Sequence, residues 1–231
     1  MMREIVLDTE TTGLEPIQGD RIVEIGAVEL FNHLPTGRTY HQYINPQRPM
    51  PQEAFAVHGL GDDFLRDKPV FKAIGRAFLD FIEDAPLVIH NAAFDMKFLN
   101  AELGWAGLPA LGADRALDTL MIARKRFPGS PASLDALCRR FGIDNSAREK
   151  HGALLDSEIL AEVYLELVGG RQPDLVLAPD QHGAAGRGAA PEWRAPPRPV
   201  PLAARLTEAE RAEHAAFVTA LGAAAIWNKR G

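Results

Sequence analysis

Residues 3–13, Arg-Glu-Ile-Val-Leu-Asp-Thr-Glu-Thr-Thr-Gly (REIVLDTETTG), form a β-branched apolar run that gives way to alternating acids and threonines before a glycine. The run itself, residues 3–8, reads as a strand, with Asp8 and Glu10 two residues apart at its end. Side chains alternate across a strand with a period of two, so both carboxylates emerge on one face, where they can share a metal ion. Residues 8–13 also read as a polar turn leaving a strand, and short motifs of this kind arise often by chance. The choice rests on what the rest of the chain places beside them.

Working outward, residues 21–30 (RIVEIGAVEL) repeat the β-branched pattern after a turn containing Gly and Asp, and residues 38–44 offer a third, more polar strand. Together these read as an antiparallel meander. Helical periodicity follows at 70–83 and 94–103, on either side of a short apolar run, Leu87–Ile89, that reads as a buried strand. One more strand is expected at 114–118, then helices near 118–126, 133–140 and 153–168, the second opened by Ser133 as N-cap. The expected fold is α/β, a mixed sheet flanked by helices. Cys138, the single cysteine, falls in the apolar pattern of a helix and reads as a buried thiol rather than a reactive one.

Two further polar elements corroborate the first. Residues 91–95 (NAAFD) follow the buried run and set Asp95 at the start of a helix, where an acid is also favoured by the helix dipole alone. Residues 151–156 (HGALLD) put His151 in a loop and Asp156 in the first turn of the last long helix of this region. Strand ends and helix beginnings converge on one edge of an α/β sheet, so four acids and a histidine at such positions are expected to meet there. Hard cations such as Mg²⁺ or Mn²⁺ prefer carboxylate oxygens, and the chain has no CxxC or HExxH spacing that argues for zinc. Two such ions about 3.5 to 4 Å apart stabilise the attacking and leaving oxygens of phosphodiester hydrolysis. A histidine titrating near neutrality suits the proton transfer from water.

Composition narrows the substrate. The hydrophobic content of 46% and charged content of 24% are those of a globular protein, no apolar run is long enough to span a bilayer, and a cytoplasmic location is expected. A formal net charge of −6 argues against binding long stretches of duplex, which requires clustered cations. A strand end held by metal ions, or a partner that supplies affinity, fits this balance.

The segments LDTETTG, NAAFD and HGALLD resemble the three exonuclease motifs of the DEDDh group within the ribonuclease H-like fold. The resemblance covers about residues 3–170 and is strongest to the epsilon, or proofreading, subunits of bacterial DNA polymerase III, through EAFAVHGL, SLDALCRRFGID and HGALLDSEILAEVYLELVGG. It implies a 3′→5′ DNA exonuclease that uses two divalent ions, Mg²⁺ or Mn²⁺, and releases nucleoside 5′-monophosphates. Asp8, Glu10 and Asp156 are then metal ligands, Asp95 completes the acidic cluster, and His151 is the general base. Glu53 and His58 are implied to contact the terminal nucleotide, with Thr9, Thr11 and Phe94 lining the same pocket. The five catalytic positions do not themselves distinguish DNA from RNA, so an RNA-trimming exonuclease stands as a second reading. A non-catalytic module that keeps the fold and binds a polymerase is a third.

After Gly169 and Gly170 the composition changes: residues 171–201 hold seven prolines and few large apolar side chains, which reads as a flexible linker over 171–200. Thr207 and Glu210 then have the spacing of a capping box, opening an Ala-rich helix with Phe217 and Leu221 one turn apart. The resemblance implies that 1–170 is the exonuclease domain and that 201–231 binds the polymerase alpha subunit. Gln172, Leu175 and Leu177, in the hexapeptide QPDLVL, resemble a sliding-clamp-binding motif. The 3′ end of a single-stranded or frayed DNA primer is the expected substrate, and a small accessory subunit is a further partner to be tested.

Overall fold

The computed structural model describes residues 2–146, 148, 150–169 and 206–222. The chain divides into two units, Met1–Val176 and Leu177–Gly231. In the first, five strands form one sheet: β1 (Arg3–Thr11), β2 (Ile22–Phe31), β3 (Leu34–Tyr43), β4 (Leu87–Ile89) and β5 (Ala116–Asp118), in the order β3-β2-β1-β4-β5. The meander β1-β2-β3 is antiparallel, and β4 and β5 add to the other edge of β1 in parallel.

β1 runs to Thr11, so Asp8 and Glu10 lie within the strand rather than in a turn beyond residue 8. They stay in it because β2 pairs the whole length of the motif, with Asp8 opposite Gly26 and Glu10 opposite Glu24. The expected strand at 114–118 is shorter, since Ala113–Arg115 closes into a 3-10 turn before β5.

Among the described residues seven α-helices accompany this sheet: α1 (Gln52–His58), α2 (Asp62–Leu65), α3 (Phe71–Ile82), α4 (Ala92–Ala106), α5 (Thr119–Arg126), α6 (Leu134–Phe141) and α7 (Ala153–Leu167). The sequence reading assigns no strand or helix to the stretch that holds α1 and α2. The alternation of β1 sorts its side chains between two cores. Ile5 and Leu7 pack with Phe71 and Phe78 of α3 and Phe98 and Leu99 of α4, while Val6 joins Leu160 and Tyr164 of α7. The even-numbered positions that bury Val6 therefore carry Asp8 and Glu10 onto the α7 side, and Thr9 continues the α4 side.

Gly26 fixes how closely α7 approaches. A Cβ at this position would collide with the backbone of Ala153 and Leu154, at the start of α7. Ser157 Oγ lies 2.9 Å from the Gly26 carbonyl oxygen and 2.7 Å from that of Ala153, so the first turn is hydrogen-bonded onto β2. On the opposite side, Arg21 donates to both oxygens of the buried Glu102, at 2.8 and 2.7 Å, which ties the entry of β2 to α4. Cys138 is buried in a third apolar cluster formed by α5, α6 and α7.

In the second unit, α8 (Glu208–Ala220) is opened by the expected capping box: the Glu210 amide donates to Thr207 Oγ1 at 3.3 Å, and the Thr207 amide to Glu210 Oε2 at 2.8 Å. Phe217 within it and Leu221 at its C-cap are exposed. Among the described residues no helix is long and apolar enough to cross a membrane.

Candidate active site

Three elements deliver the acids. β1 supplies Asp8 and Glu10, the first turn of α4 supplies Asp95, and the first turn of α7 supplies Asp156. The turn into α4 is made by Asn91, which takes a left-handed conformation (φ 66°) that asparagine tolerates better than most residues. Asp95 then faces β1, where its Oδ1 accepts from the Thr9 hydroxyl at 2.7 Å and the Thr9 amide at 3.1 Å. Asp95 and Asp156 are each only 3% exposed.

Burying carboxylates together shifts their proton affinities. Burial, reinforced by Asp95, Glu10 and Asp156, raises Asp8 well above the usual carboxylate range. Burial, with Asp156 and Glu24 adding to it, pushes Glu10 up to about 8. Asp95 rises to about 7, again through burial, although the hydrogen bonds from Thr9 oppose it. At Asp156 burial works upward too, but hydrogen bonds from His151 and Arg148 outweigh it and hold the carboxyl below its ordinary value.

His151 sits in the loop before α7 with its side chain about half exposed, its amide donating to the Val57 carbonyl at 3.2 Å. Its Nδ1 lies 3.3 Å from Asp156 Oδ2. Ligand atoms of Glu10, His151 and Asp156 all come within 4.8 Å of one another, a donor set of carboxylate oxygens and one imidazole that fits a hard divalent cation. Asp8 adds a further carboxylate to the same cluster but is not one of that closest trio.

Two cavities flank these groups. One, of about 490 Å³, is lined by Thr9, Glu10, Thr11, Glu53, His58 and Phe94 together with the loop after β1. The other, of about 550 Å³, lies on the side of Asp8, His151 and Asp156 and reaches Asn91, Arg124 and Asp135. In the first, His58 closes α1 and is buried. Its Nδ1 accepts from the Leu60 amide at 3.0 Å. Its Nε2 is turned toward the Thr11 backbone, yet no hydrogen-bond partner lies in range among the described residues. Burial lowers its proton affinity. The ring is therefore held neutral, and with Nδ1 accepting, the proton resides on Nε2. Phe94 stacks at a tilt on Phe98, ring centroids 5.0 Å apart, which fixes the apolar wall of the cavity.

Sequence reasoning missed two groups. Glu24 is buried opposite Glu10 and receives His41 Nε2 at 2.7 Å; its signal is a charged residue inside the apolar run of β2. Arg148 reaches into the cluster and grips Asp156; a cation three residues before His151 was its only trace. Gln172, Leu175 and Leu177 lie outside the described residues, as do residues 170–205 generally.

Residues 5–164 match the exonuclease family model. The DNA polymerase III subunit epsilon of Rickettsia felis is 58% identical over 174 residues, covering 74% of this chain and 76% of that protein. Its counterpart from Escherichia coli K12 is 51% identical over 176 residues, covering 73% and 72%. Among solved structures, exonuclease X in complex with 5′ overhanging duplex DNA superposes with a TM-score of 0.55 at 25% identity, covering 73% of this chain and 91% of that one. The nuclease domain of 3′hExo, a DEDDh family member bound to rAMP, gives a TM-score of 0.62 at 20% identity, over 72% and 91%, and shows the shared fold. With its exonuclease-family match, its sheet order and this degree of identity over three quarters of its length, the chain belongs to the family of DNA polymerase III epsilon subunits.

Proposed function

We propose that this protein is a metal-dependent 3′→5′ exonuclease that proofreads for a replicative DNA polymerase, removing nucleoside 5′-monophosphates from a DNA primer end. The observation that carries the reading is the convergence of Asp8, Glu10, Asp95, Asp156 and His151 between two cavities. Asp8, Glu10 and Asp156 would hold two divalent ions, Mg²⁺ or Mn²⁺, with Asp95 completing the charge of the cluster. Bound there, such ions supply the positive charge that stabilises the attacking and leaving oxygens.

The chain's own groups do the rest. The cavity of about 490 Å³ takes the terminal nucleotide: Phe94, Thr11 and Glu53 wall it, and buried His58, whose Nε2–H lies beside the Thr11 backbone without a well-formed hydrogen bond, lines it as a donor that a ligand can complete. Thr9 binds there while holding Asp95 in place. His151, half exposed yet within reach of Asp156, accepts the proton of the attacking water. A mismatched terminus costs less to unpair and enters such a single-strand site more readily.

Partners follow from the family and from composition. Residues 201–231 would bind the polymerase alpha subunit, with 171–200 as a tether that keeps the exonuclease at high local concentration near the primer end. Gln172, Leu175 and Leu177 would dock on the sliding clamp; unchanged clamp binding by a variant with alanine at all three positions would remove that contact from the reading.

The deciding experiment is digestion of a 5′-labelled single-stranded DNA and its RNA counterpart with Mg²⁺ or Mn²⁺ and then with excess chelator. Stepwise, chelator-sensitive shortening of DNA from its 3′ end, with RNA spared, is expected. His151→Ala should slow it by about 10²- to 10⁴-fold, the usual contribution of general acid-base catalysis. Preference for RNA would reassign the substrate, and no cleavage of either would overturn the enzymatic reading.

A further inference from the structure

Arg148 ends inside the acid cluster. Its Nε and Nη2 donate to Oδ1 and Oδ2 of Asp156, Nη2 at 2.7 Å, so the guanidinium engages both oxygens of that carboxylate. Nη2 also lies 2.8 Å from His151 Nδ1, and Nη1 donates to Asp135 Oδ1 at 3.0 Å. The Arg148 side chain is 9% exposed, whereas that of Asp135 is 45% exposed on the wall of the 550 Å³ cavity.

This geometry sets up a competition. A planar guanidinium bonded to both oxygens of a carboxylate occupies one lone pair on each and sets a full positive charge against the oxygens that a metal ion would share. A divalent ion approaching Asp156 in this arrangement therefore meets a positive charge already bonded to both of its oxygens, and the two cations compete for the carboxylate. The contact with Asp135 gives the side chain somewhere to go: it can release Asp156, keep its outer ion pair, and turn into the cavity that it already lines.

We propose that Arg148 is a displaceable resident cation, which neutralises Asp156 and steadies His151 until it is exchanged for a divalent ion, and which then remains tethered to Asp135. The proposal rests on the reading of Asp156 as a metal ligand. It makes Arg148 a positioning residue that sets the metal affinity of the site.

The test is titration of the full-length chain with Mn²⁺ in the absence of DNA, following free Mn²⁺ by electron paramagnetic resonance, with circular dichroism to verify folding. Charge-assisted hydrogen bonds of this kind correspond to about a ten- to hundredfold effect, so Arg148→Gln should bind Mn²⁺ tighter by that factor. Arg148→Lys keeps the charge but cannot fork across both oxygens, and should fall between Arg148→Gln and the parent. That intermediate value separates direct contact from simple repulsion. Affinity equal to or weaker than the parent's in folded Arg148→Gln, or in Arg148→Lys should the glutamine variant not fold, overturns the competition while leaving Asp156 as a ligand. Absence of Mn²⁺ binding in the parent and in both variants overturns the ligand reading and the competition with it.

Discussion

His58 and His151 face the acid cluster with opposite obligations. His151 is half exposed and touches Asp156 and Arg148 on the surface of the site, whereas His58 is buried, neutral, and keeps one nitrogen committed to the Leu60 amide. A buried donor left without a partner costs stability, and in a site this is explained when a ligand completes it. His58→Ala is therefore expected to weaken binding of the product, a nucleoside 5′-monophosphate, by about three- to tenfold, the value of one neutral hydrogen bond, with little change in turnover. A fall in kcat with unchanged KM would show that His58 acts on the chemistry instead. The residues brought to this cluster were legible because strand and helix periods are short and local: a spacing of two in β1, and first-turn positions in α4 and α7. Arg148 and Glu24 were not, because their places depend on a loop folding back and on cross-strand register, neither of which a local pattern encodes.

At the scale of elements, the site depends on how near α7 comes to β2. Gly26 permits the approach and Ser157 locks it, which is what brings Asp156 to the level of Asp8 and Glu10. Gly26→Ala is expected to force α7 outward, destabilising the fold by about 1 to 3 kcal/mol, as overpacking does, and lowering exonuclease activity more than the loss of folded protein accounts for. Thermal melting and activity per folded molecule check both parts; full activity in a folded variant would mean that the helix position is not what aligns Asp156. The strands and long helices were readable from their periodicity. The short helices α1 and α2 were not, because Gln52–His58 and Asp62–Leu65 are too brief to show a period, and β1 outran its apolar run because β2 pairs the polar positions as well. A single glycine in an apolar strand gives no hint in sequence that a helix start lies against it.

Across the whole molecule, the acidic balance of −6 and the crowded carboxylates pose one electrostatic problem at two scales. A protein of this charge gains little from the phosphate backbone, so affinity for a primer end must come largely from bound cations. Inside the site the same repulsion appears as proton uptake. Glu10, raised from 4.5 to about 8, and Asp95, raised from 3.8 to about 7, keep protons in the folded state that the unfolded chain has already released, and Asp8 is shifted the same way. Because the folded state then binds more protons than the unfolded, stability present below the ordinary carboxylate values is lost as pH rises toward 8. Asp156, held low, works in the opposite sense as pH falls below 3.8, and buried His58 and His90, both held below 6.5, offset part of the loss up to that pH without reversing it. In excess chelator the melting temperature is thus expected to drop between about pH 5 and pH 8. Saturating Mg²⁺ or Mn²⁺ should recover most of that loss, and affinity for the ion should rise with pH as protons are displaced from the carboxylates. A melting temperature in chelator that stays level across this interval would mean that the acids titrate as ordinary surface groups, and that their closeness exerts no demand for a cation.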